Sequence, residues 1–435
     1  MNLVSFATKN GADDVAIETI KQKSSQIKFA NGSVSVGQNW LVTRHNVFVS
    51  VKNATASSTF RGLTEEQLAD AVKSLILAAK KSKPSNEYSG LAKGPFKYKK
   101  VNAIYDKNVD AYDSADAVKT SLDAAGENSK TSAGFFYKEL SERCVETSCG
   151  IDAEEKTTKL QLSIRAFNEQ NESGHAVSCS CMVKGFDPEN AGRRAGETAK
   201  MAKNPVNGTP GKYNVVFAPM AIGNLLSRVG EFSTTFNIDS GFSCFGGKVG
   251  KQIANKIVNI TDNGRLQNGF NSSHFDDEGV PTKITYVIKN GVLKTYLHNT
   301  SSAKKHRTKT TANAGIIAQR YNNLILEPGK ITMEKLLAGV DNGLYVTNVW
   351  YTRFQSYYTG VFSTIPRDGI FVIKNGSIVG SVNNIRITEN LMDMLKNISN
   401  ISNRTECVQW WEEISPPVYT PYVLIKDVNV TLPTM

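Results

Sequence analysis

The sequence predicts an α+β protein, with an N-terminal α/β domain over 1–203 and a β-rich C-terminal domain over 212–435 built on a large curved sheet. Three observations lead there. Apolar residues recur with period two in many short runs, most cleanly at Thr158, Leu160, Leu162, Ile164 and Ala166, the pattern of a strand with one buried face. Three helical patterns, two of them with N-cap signals, fall before residue 203. Between the two parts, 204–211 reads NPVNGTPG, two prolines and two glycines in eight residues, which interrupts regular structure and marks a boundary.

At 435 residues the chain is long for a single core, and its 40% hydrophobic content with 13 prolines is that of an ordinary globular protein. No apolar run approaches the roughly 18 residues that cross a bilayer. The opening MNLVSFATKN lacks a charged segment followed by an apolar one, so no signal peptide is expected and the expected location is the cytoplasm. The six cysteines form no CxxC pair. Cys179 and Cys181 share one face of an alternating run and read as buried thiols before they read as a metal pair. Asn-x-Ser/Thr triplets at Asn299, Asn397 and Asn403 read as chance in an Asn-rich chain. Net charge is +11 and the isoelectric point about 9.2, so polyanions must be weighed. The basic residues are scattered, however. Their densest group, Lys304, Lys305, Arg307 and Lys309, reads as a solvated loop with no zinc finger, aromatic RNA motif or basic helix beside it. No specific nucleic-acid partner and no membrane are expected.

Alternating runs from Asp14 to Phe60, with a turn at Asn31-Gly32, predict several antiparallel strands. The next element is a helix over 64–81. Thr64 and Gln67 suit a capping box, and Leu68, Ala71, Val72, Leu75 and Ala79 fall on one face. A basic connection, 93–100, precedes a second helix over 114–125 carrying Ala115, Val118 and Leu122. Strands resume at Phe135–Glu139 and Cys144–Ser148. Asp187-Pro188 opens a third helix, Asp as cap and Pro at its first position, and its stripe Ala191, Ala195, Ala199 permits close packing on a sheet. Beyond 211, strands dominate. Asn290-Gly291 and Asn375-Gly376 mark hairpins, because a type I′ turn needs positive φ at both central residues. Short helices are expected over 221–229, 332–340 and 389–398.

The most informative stretch is 275–297, FDDEGVPTKITYVIKNGVLKTYL. Asp276, Asp277 and Glu278 open it as a polar turn, and two β-type runs follow. The acids read first as a solvated turn and second as an oxygen-rich site for a cation or a peptide amine. This stretch also carries a resemblance. Acid-acid-Glu-Gly-Val-Pro-Thr, followed by a strand ending in Asn-Gly-Val-Leu and Tyr-Leu, resembles the TldD/PmbA family. Thr311-Ala-Asn-Ala314, Asn322 to Gly329 with its Pro-Gly end, Gly343-Leu-Tyr-Val346, Thr359-Gly-Val-Phe-Ser363 and Ile373-Lys-Asn-Gly376 fit in order. The N-terminal half is similar only more loosely. The resemblance implies the same two-part division and a metalloprotease family that pairs a zinc-bearing TldD subunit with a TldE/PmbA subunit lacking the zinc motif.

TldD-type members carry His-Glu-x-x-x-His on the helix that follows the first C-terminal strand, a pattern that holds zinc and activates its water. Laid on the Pro…Gly…Leu-Leu frame of 213–232, this chain has Ser227, Arg228 and Phe232 at those places. None replaces a neutral imidazole as a zinc ligand, and Arg228 would repel a cation. His45, His175, His274, His298 and His306 supply no pair at i, i+4 or i+5. Cys407 fits the position of a C-terminal cysteine ligand in TldD-type members and, without the histidines, reads as a vestige. The acids Asp276–Glu278 suit hard cations better than zinc. No nucleophile elbow, P-loop or dinucleotide fingerprint is present.

The expected function is therefore that of a TldE/PmbA-like subunit that holds no cofactor itself, pairs with a zinc-bearing TldD-like homologue or with a second copy, and helps enclose unfolded peptide. Asp276, Asp277, Glu278, Asn313 and Tyr358 are its candidate peptide-channel residues. Trp350, Tyr351, Phe354 and Tyr357 either line that channel or pack a hairpin. The alternatives are an active peptidase with an unrecognised site, drawing on Cys407, and a basic binding module with no proteolytic role.

Overall fold

Asn31 and Gly32 both take positive φ, 52° and 73°, and fold β1 (Asp14–Ala30) back on β2 (Ser33–Val51). In this computed structural model, which describes residues 2–315, 317–411 and 413–433, that hairpin starts a six-stranded antiparallel sheet. Its order is β3 (Ala54–Arg61), β2, β1, β4 (Thr131–Thr147), β5 (Asp152–Phe167), β6 (Ser173–Ser180). The runs expected as separate strands around Phe135 and Cys144 are one continuous β4.

Strand alternation sorts this sheet into an apolar face and a polar one. Val15, Ile17, Val47 and Val49 are buried under α1 (Leu3–Lys9) and α2 (Glu65–Lys81). Phe136, Leu160, Leu162 and Ile164 are buried under α4 (Ser114–Gly126) and α5 (Pro188–Met201), with the single-turn α3 (Asn108–Ala111) at the edge. The expected capping box Thr64–Gln67 is present. On α5, Ala191, Ala195 and Ala199 meet the sheet as expected. Gly192 makes a second close approach, since a Cβ there would lie 2.1 Å from the Ser121 carbonyl of α4. The opposite face of the sheet carries Glu18, Arg44, Asn46, Arg143 and Glu155 and looks onto the C-terminal half.

After the short β7 (Val206–Asn207) the chain builds two further sheets. One closes on itself. β8 (Gly211–Phe217) pairs with β13 (Asn342–Ser356) and β20 (Val423–Thr431). β16 (Arg386–Asn390) joins β20 to β14 (Val361–Lys374), and β14 pairs back to β13, completing a five-stranded barrel. β15 (Ser377–Asn383) extends β14, β7 pairs with β15, and β17 (Ile398–Ile401) pairs with β20. The other sheet runs β11 (Val292–Leu293), β10 (Ile284–Lys289), β9 (Ile260–Asn263), β12 (Leu324–Leu326), β19 (Ile414–Thr420), β18 (Glu406–Trp410). Both Asn-Gly turns form as expected, with φ of 50° and 73° at Asn290 and Gly291 and of 47° and 75° at Asn375 and Gly376.

Between the barrel and the second sheet lies α6 (Pro219–Phe232), with all but Arg228 and Glu231 buried. Its packing is tight enough that a Cβ on Gly230 would sit 2.5 Å from the Tyr321 ring. Short helices α9 (Met333–Ala338) and α10 (Leu391–Lys396) lie where helical patterns were expected. Two others, α7 (Thr235–Asp239) and α8 (Thr300–Lys305), were not expected. The second corrects the basic group as well. Lys304 and Lys305 end a helix, and they bond the Ser89 carbonyl and the Glu87 and Asp239 carboxylates rather than lying in a solvated loop. Among the described residues no helix is long and apolar enough to cross a membrane. The described residues form mixed helices and strands, as the α+β expectation has it.

Candidate functional site

The polar face of the N-terminal sheet and the loops of the C-terminal half meet at Arg143. This side chain comes from β4, where odd-numbered residues face the C-terminal half and even-numbered ones face the helices. Its Nε donates to Glu18 Oε1 on β1, its Nη1 to Glu155 Oε1 on β5 at 3.1 Å, and its Nη2 to Asp277 Oδ1 at 2.6 Å. Nη1 also reaches the Phe275 carbonyl at 3.0 Å, and the guanidinium lies 4.8 Å from the Phe275 ring centroid. Arg320 Nη2 donates to the same Asp277 Oδ1 at 2.6 Å. Burial works to raise the Glu18 carboxyl, but Arg143 and Asn46 hold it below the ordinary carboxylate range. Burial likewise opposes ionisation of Glu155, and His274 and Arg143 outweigh it.

The three acids of 276–278 have three different environments. Asp276 accepts from the Glu278, Val280 and Ala314 amides. Burial, with Glu278 close by, pushes its carboxyl up to about 8. Asp277 is the anion between Arg143 and Arg320. Glu278 accepts from the Thr300 amide at 3.2 Å, and burial raises it too. A solvated turn is therefore not what these residues form: Asp276 and Asp277 are 5% and 7% exposed. Asn313 joins them from the facing loop. Its Nδ2 donates to Asp262 Oδ2 at 2.5 Å and to the Arg320 carbonyl at 2.9 Å. Burial pushes Asp262 up to about 6.

A groove runs over this network. One half, about 510 Å³, is walled by Arg44, Arg143, Asp277, Asn313 and Arg320 among others. The other, about 450 Å³, continues past Asp277 to Glu278, Tyr88 and Phe236. Glu18, Asn46 and Asp277 border both halves. Asp276, Asp277, Glu278 and Asn313 are thus brought together, and the sequence reading missed Glu18, Arg44, Arg143, Glu155 and Arg320. The signal available was only the run of polar residues Glu139, Ser141 and Arg143 at alternate positions of one strand.

On α6 the three aligned positions are tied up by the protein itself. Ser227, 1% exposed, donates to the Asn224 carbonyl at 2.7 Å. Arg228 pairs with Glu231 at 2.9 Å. Phe232 packs against Phe354 with ring centroids 4.8 Å apart and against Phe245 at 6.2 Å. A hydroxyl, a guanidinium and a phenyl ring make no zinc donor set. No group of three or more His, Cys, Asp or Glu able to hold a metal occurs among the described residues.

The profile of the PmbA/TldA metallopeptidase C-terminal domain matches residues 210–432. The chain belongs to the PmbA/TldD family. It is 35% identical over 147 residues to a metalloprotease PmbA homolog of Buchnera aphidicola from Acyrthosiphon pisum, covering 34% of this chain and 31% of that one. It is 30% identical over 172 residues to a metalloprotease TldD homolog of Buchnera aphidicola from Schizaphis graminum, covering 38% and 35%. Each of these alignments spans about a third of the relative's length. TldE from Thermococcus kodakarensis has the same fold, with a TM-score of 0.88 at 19% identity over 99% of both chains.

Within this PmbA/TldD-family fold the remaining candidate residues lie apart. Val408 of β18 packs close to Gly223 of α6, so its neighbour Cys407 faces the other way, toward Cys179 of β6 and the Tyr419 hydroxyl. Burial and Cys179 push the Cys407 thiol well above the ordinary range. Cys181 is buried, as read, whereas Cys179 is only partly so. Tyr358, 76% exposed at the β13–β14 turn, borders neither half of the groove. Ser163, His175 and Asp368 look like a catalytic triad, with Ser163 Oγ 2.8 Å from His175 Nε2 and His175 Nδ1 3.8 Å from Asp368. The tautomer is wrong for that role. Asn348 Nδ2 can only donate, and it contacts Nδ1 at 3.2 Å, so Nε2 carries the proton and cannot take one from serine. Asp368 is saturated by Arg165, Arg367, Ser173 and Asn348. The arrangement fastens β5 and β6 to the barrel.

Proposed function

We propose that this chain is a non-catalytic, TldE/PmbA-like subunit of a TldD/TldE-type metalloprotease complex, which helps to bind and enclose unfolded peptide for a zinc-bearing partner. The observation that carries the reading is α6, where Ser227, Arg228 and Phe232 occupy the positions that the family resemblance gives to His, Glu and His, each engaged with the protein itself. The chain then holds no cofactor of its own, and the zinc belongs to the partner. The groove between the N-terminal sheet and loops 273–278, 313–315 and 317–322 is the place for peptide, with Asp276, Asp277, Glu278 and Asn313 in its wall. The division into 1–203 and 212–435 belongs to the same reading, since β1–β6 pair only with one another. A cytoplasmic location is part of the proposal.

The partner is a zinc-bearing TldD-like homologue or, failing that, a second copy. Most of the apolar surface of 275–297 and 358–378 is buried in the chain's own core, Phe275, Leu297, Phe362 and Phe371 among it. Ile284 and Tyr286 of β10 stay exposed, and a further aromatic group is exposed along the end of β13 and its turn into β14. Trp350 is 41% exposed, Tyr351 45%, Tyr357 46% and Tyr358 76%. Such residues are enriched where protein surfaces associate, and this is where the partner is placed. Light scattering, zinc analysis and a peptidase assay on each chain alone and on the mixture test the proposal. The expected result is a heteromer that cleaves unfolded peptide, with zinc traced to the partner. A strict monomer at micromolar concentration in every sample, or one protein-bound zinc per copy of this chain, would overturn it.

A further inference from the structure

We infer that the Arg44–Arg320 half of the groove binds the C-terminal α-carboxylate of a peptide, so that the chain end is read there. This rests on the peptide-binding reading above and adds what part of the peptide is recognised and where. Arg143 is satisfied by Glu18, Glu155 and Asp277, three carboxylates from three segments. Arg44 is different. It stands two residues before Asn46 on the same face of β2 and lines this half of the groove. Among the described residues its side chain has no hydrogen bond and no ion pair. A guanidinium carries five N–H donors in a planar fork that matches a carboxylate, and among the described residues none of the five has a hydrogen-bond partner. Arg320 spends a single nitrogen, Nη2, on Asp277, and its side chain is 56% exposed.

An independent observation lies in the wall of the same half. Asn313 is 2% exposed. Both of its Nδ2 donations are spent, yet its Oδ1 is buried without a hydrogen-bond partner. A buried acceptor left unpaired beside a groove calls for a donor. A chain end supplies both complements, two carboxylate oxygens for the arginines and the amide N–H of the last residue for Asn313. The other half of the groove would not serve for the carboxylate. Its wall includes Glu87, Asp239, Asp277 and Glu278 and no lysine or arginine. The peptide therefore enters with its last residue toward Arg44 and its body toward Glu278.

A carboxylate can also come from an acidic side chain, and the test separates the sources. An unstructured peptide labelled at its N-terminus is titrated with the full chain by fluorescence anisotropy in three forms: the free acid, the C-terminal amide, and an amide whose last residue is Asp. The free acid is expected to bind at least about tenfold tighter than either amide, roughly 1.4 kcal/mol. Arg44→Gln, which breaks no hydrogen bond or ion pair among the described residues, is expected to bring acid and amide together while the melting temperature stays put. Equal binding of acid and amide by the unaltered chain, or a preference that survives Arg44→Gln, overturns the inference while leaving peptide binding intact. Recovery by the Asp amide overturns the assignment to the chain end. Failure to bind any of the three peptides counts against the peptide reading itself, and this inference falls with it.

Discussion

Arg143 Nη2 and Asp277 Oδ1 meet at 2.6 Å although 134 residues separate them, and this contact joins the polar face of the N-terminal sheet to the loop that opens the 275–297 stretch. The two side chains are 12% and 4% exposed. Buried pairs of this kind contribute little net stability as pairs, but removing one partner strands the other. Arg143→Met would take the arginine from Glu18 and Glu155 and leave Asp277 with Arg320 alone. The expected loss is about 3–5 kcal/mol in urea unfolding at neutral pH. Asp277→Asn, which leaves Arg143 two carboxylates, should cost clearly less. Equal losses for the two variants would show that the three acids do not share Arg143 as their counter-charge.

Cys407 gives a sharper test of the zinc question than its sequence position suggests. It lies on the face of β18 away from α6, beside Cys179 and Tyr419. Cys407→Ser should change stability by about 1 kcal/mol or less and leave metal content and the activity of an assembled complex nearly unchanged. Loss of a zinc ligand would instead lower activity by orders of magnitude. A large loss with the fold intact would restore the alternative of an active site on this chain.

The two turns at Asn31-Gly32 and Asn290-Gly291 separate backbone strain from packing. Both glycines have φ of 73°. A Cβ on Gly32 meets nothing within 4 Å, whereas one on Gly291 would lie 2.2 Å from Gln252 Nε2 and 2.3 Å from the Ala254 carbonyl. Gly32→Ala should cost about 1–2 kcal/mol, the left-handed penalty alone. Gly291→Ala should cost more than that by thermal or urea unfolding, because backbone must also move. Equal costs would mean that the 252–255 segment yields freely.

These turns were legible because everything that makes them is local. Asn-Gly sets two φ angles, and the flanking β-branched runs do the rest. The caps of α2 and α5 were legible for the same reason. Arg143 was not, because its meaning depends on Glu18, Glu155 and Asp277, which only the pairing of β1, β4 and β5 and the return of the 273–277 loop bring together. The acids of 276–278 show the cost of a local reading. Three acids before a glycine look solvated, yet Ala314 and Arg320 close over them. The short helices Thr235–Asp239 and Thr300–Lys305 escaped because a single turn or so gives no periodicity to detect. At α6 the sequence made the helix and its aligned positions readable, but the aromatic cluster that fills the Phe232 end draws on Phe245 and Phe354 from other segments.

His175 supplies the last prediction. Its ring is buried between Ser163, Asn348 and the edge of Trp410. Both nitrogens are in use, with Nε2 donating to Ser163 and Nδ1 accepting from Asn348. A second proton on Nδ1 would point at the Asn348 amide. Burial therefore pushes the imidazole down to about 3, against the pull of Asp368. Above the ordinary histidine range near 6.5 both folded and unfolded chains hold it neutral. As pH falls below about 6.5 the unfolded chain takes up a proton that the folded chain refuses. Stability is then lost down to about pH 3, at up to about 1.4 kcal/mol per pH unit. Buried acids such as Asp276, raised rather than lowered, work in the opposite direction, so the total pH dependence does not isolate this residue. The difference between the parent chain and His175→Gln does, because the other groups cancel in it. His175→Gln should be less stable at pH 7, and the gap should narrow by roughly 1 kcal/mol per unit as pH is lowered from about 6 to about 4 in urea titrations. A gap that stays constant over that range would show that His175 takes up its proton in the folded state as readily as in the unfolded one.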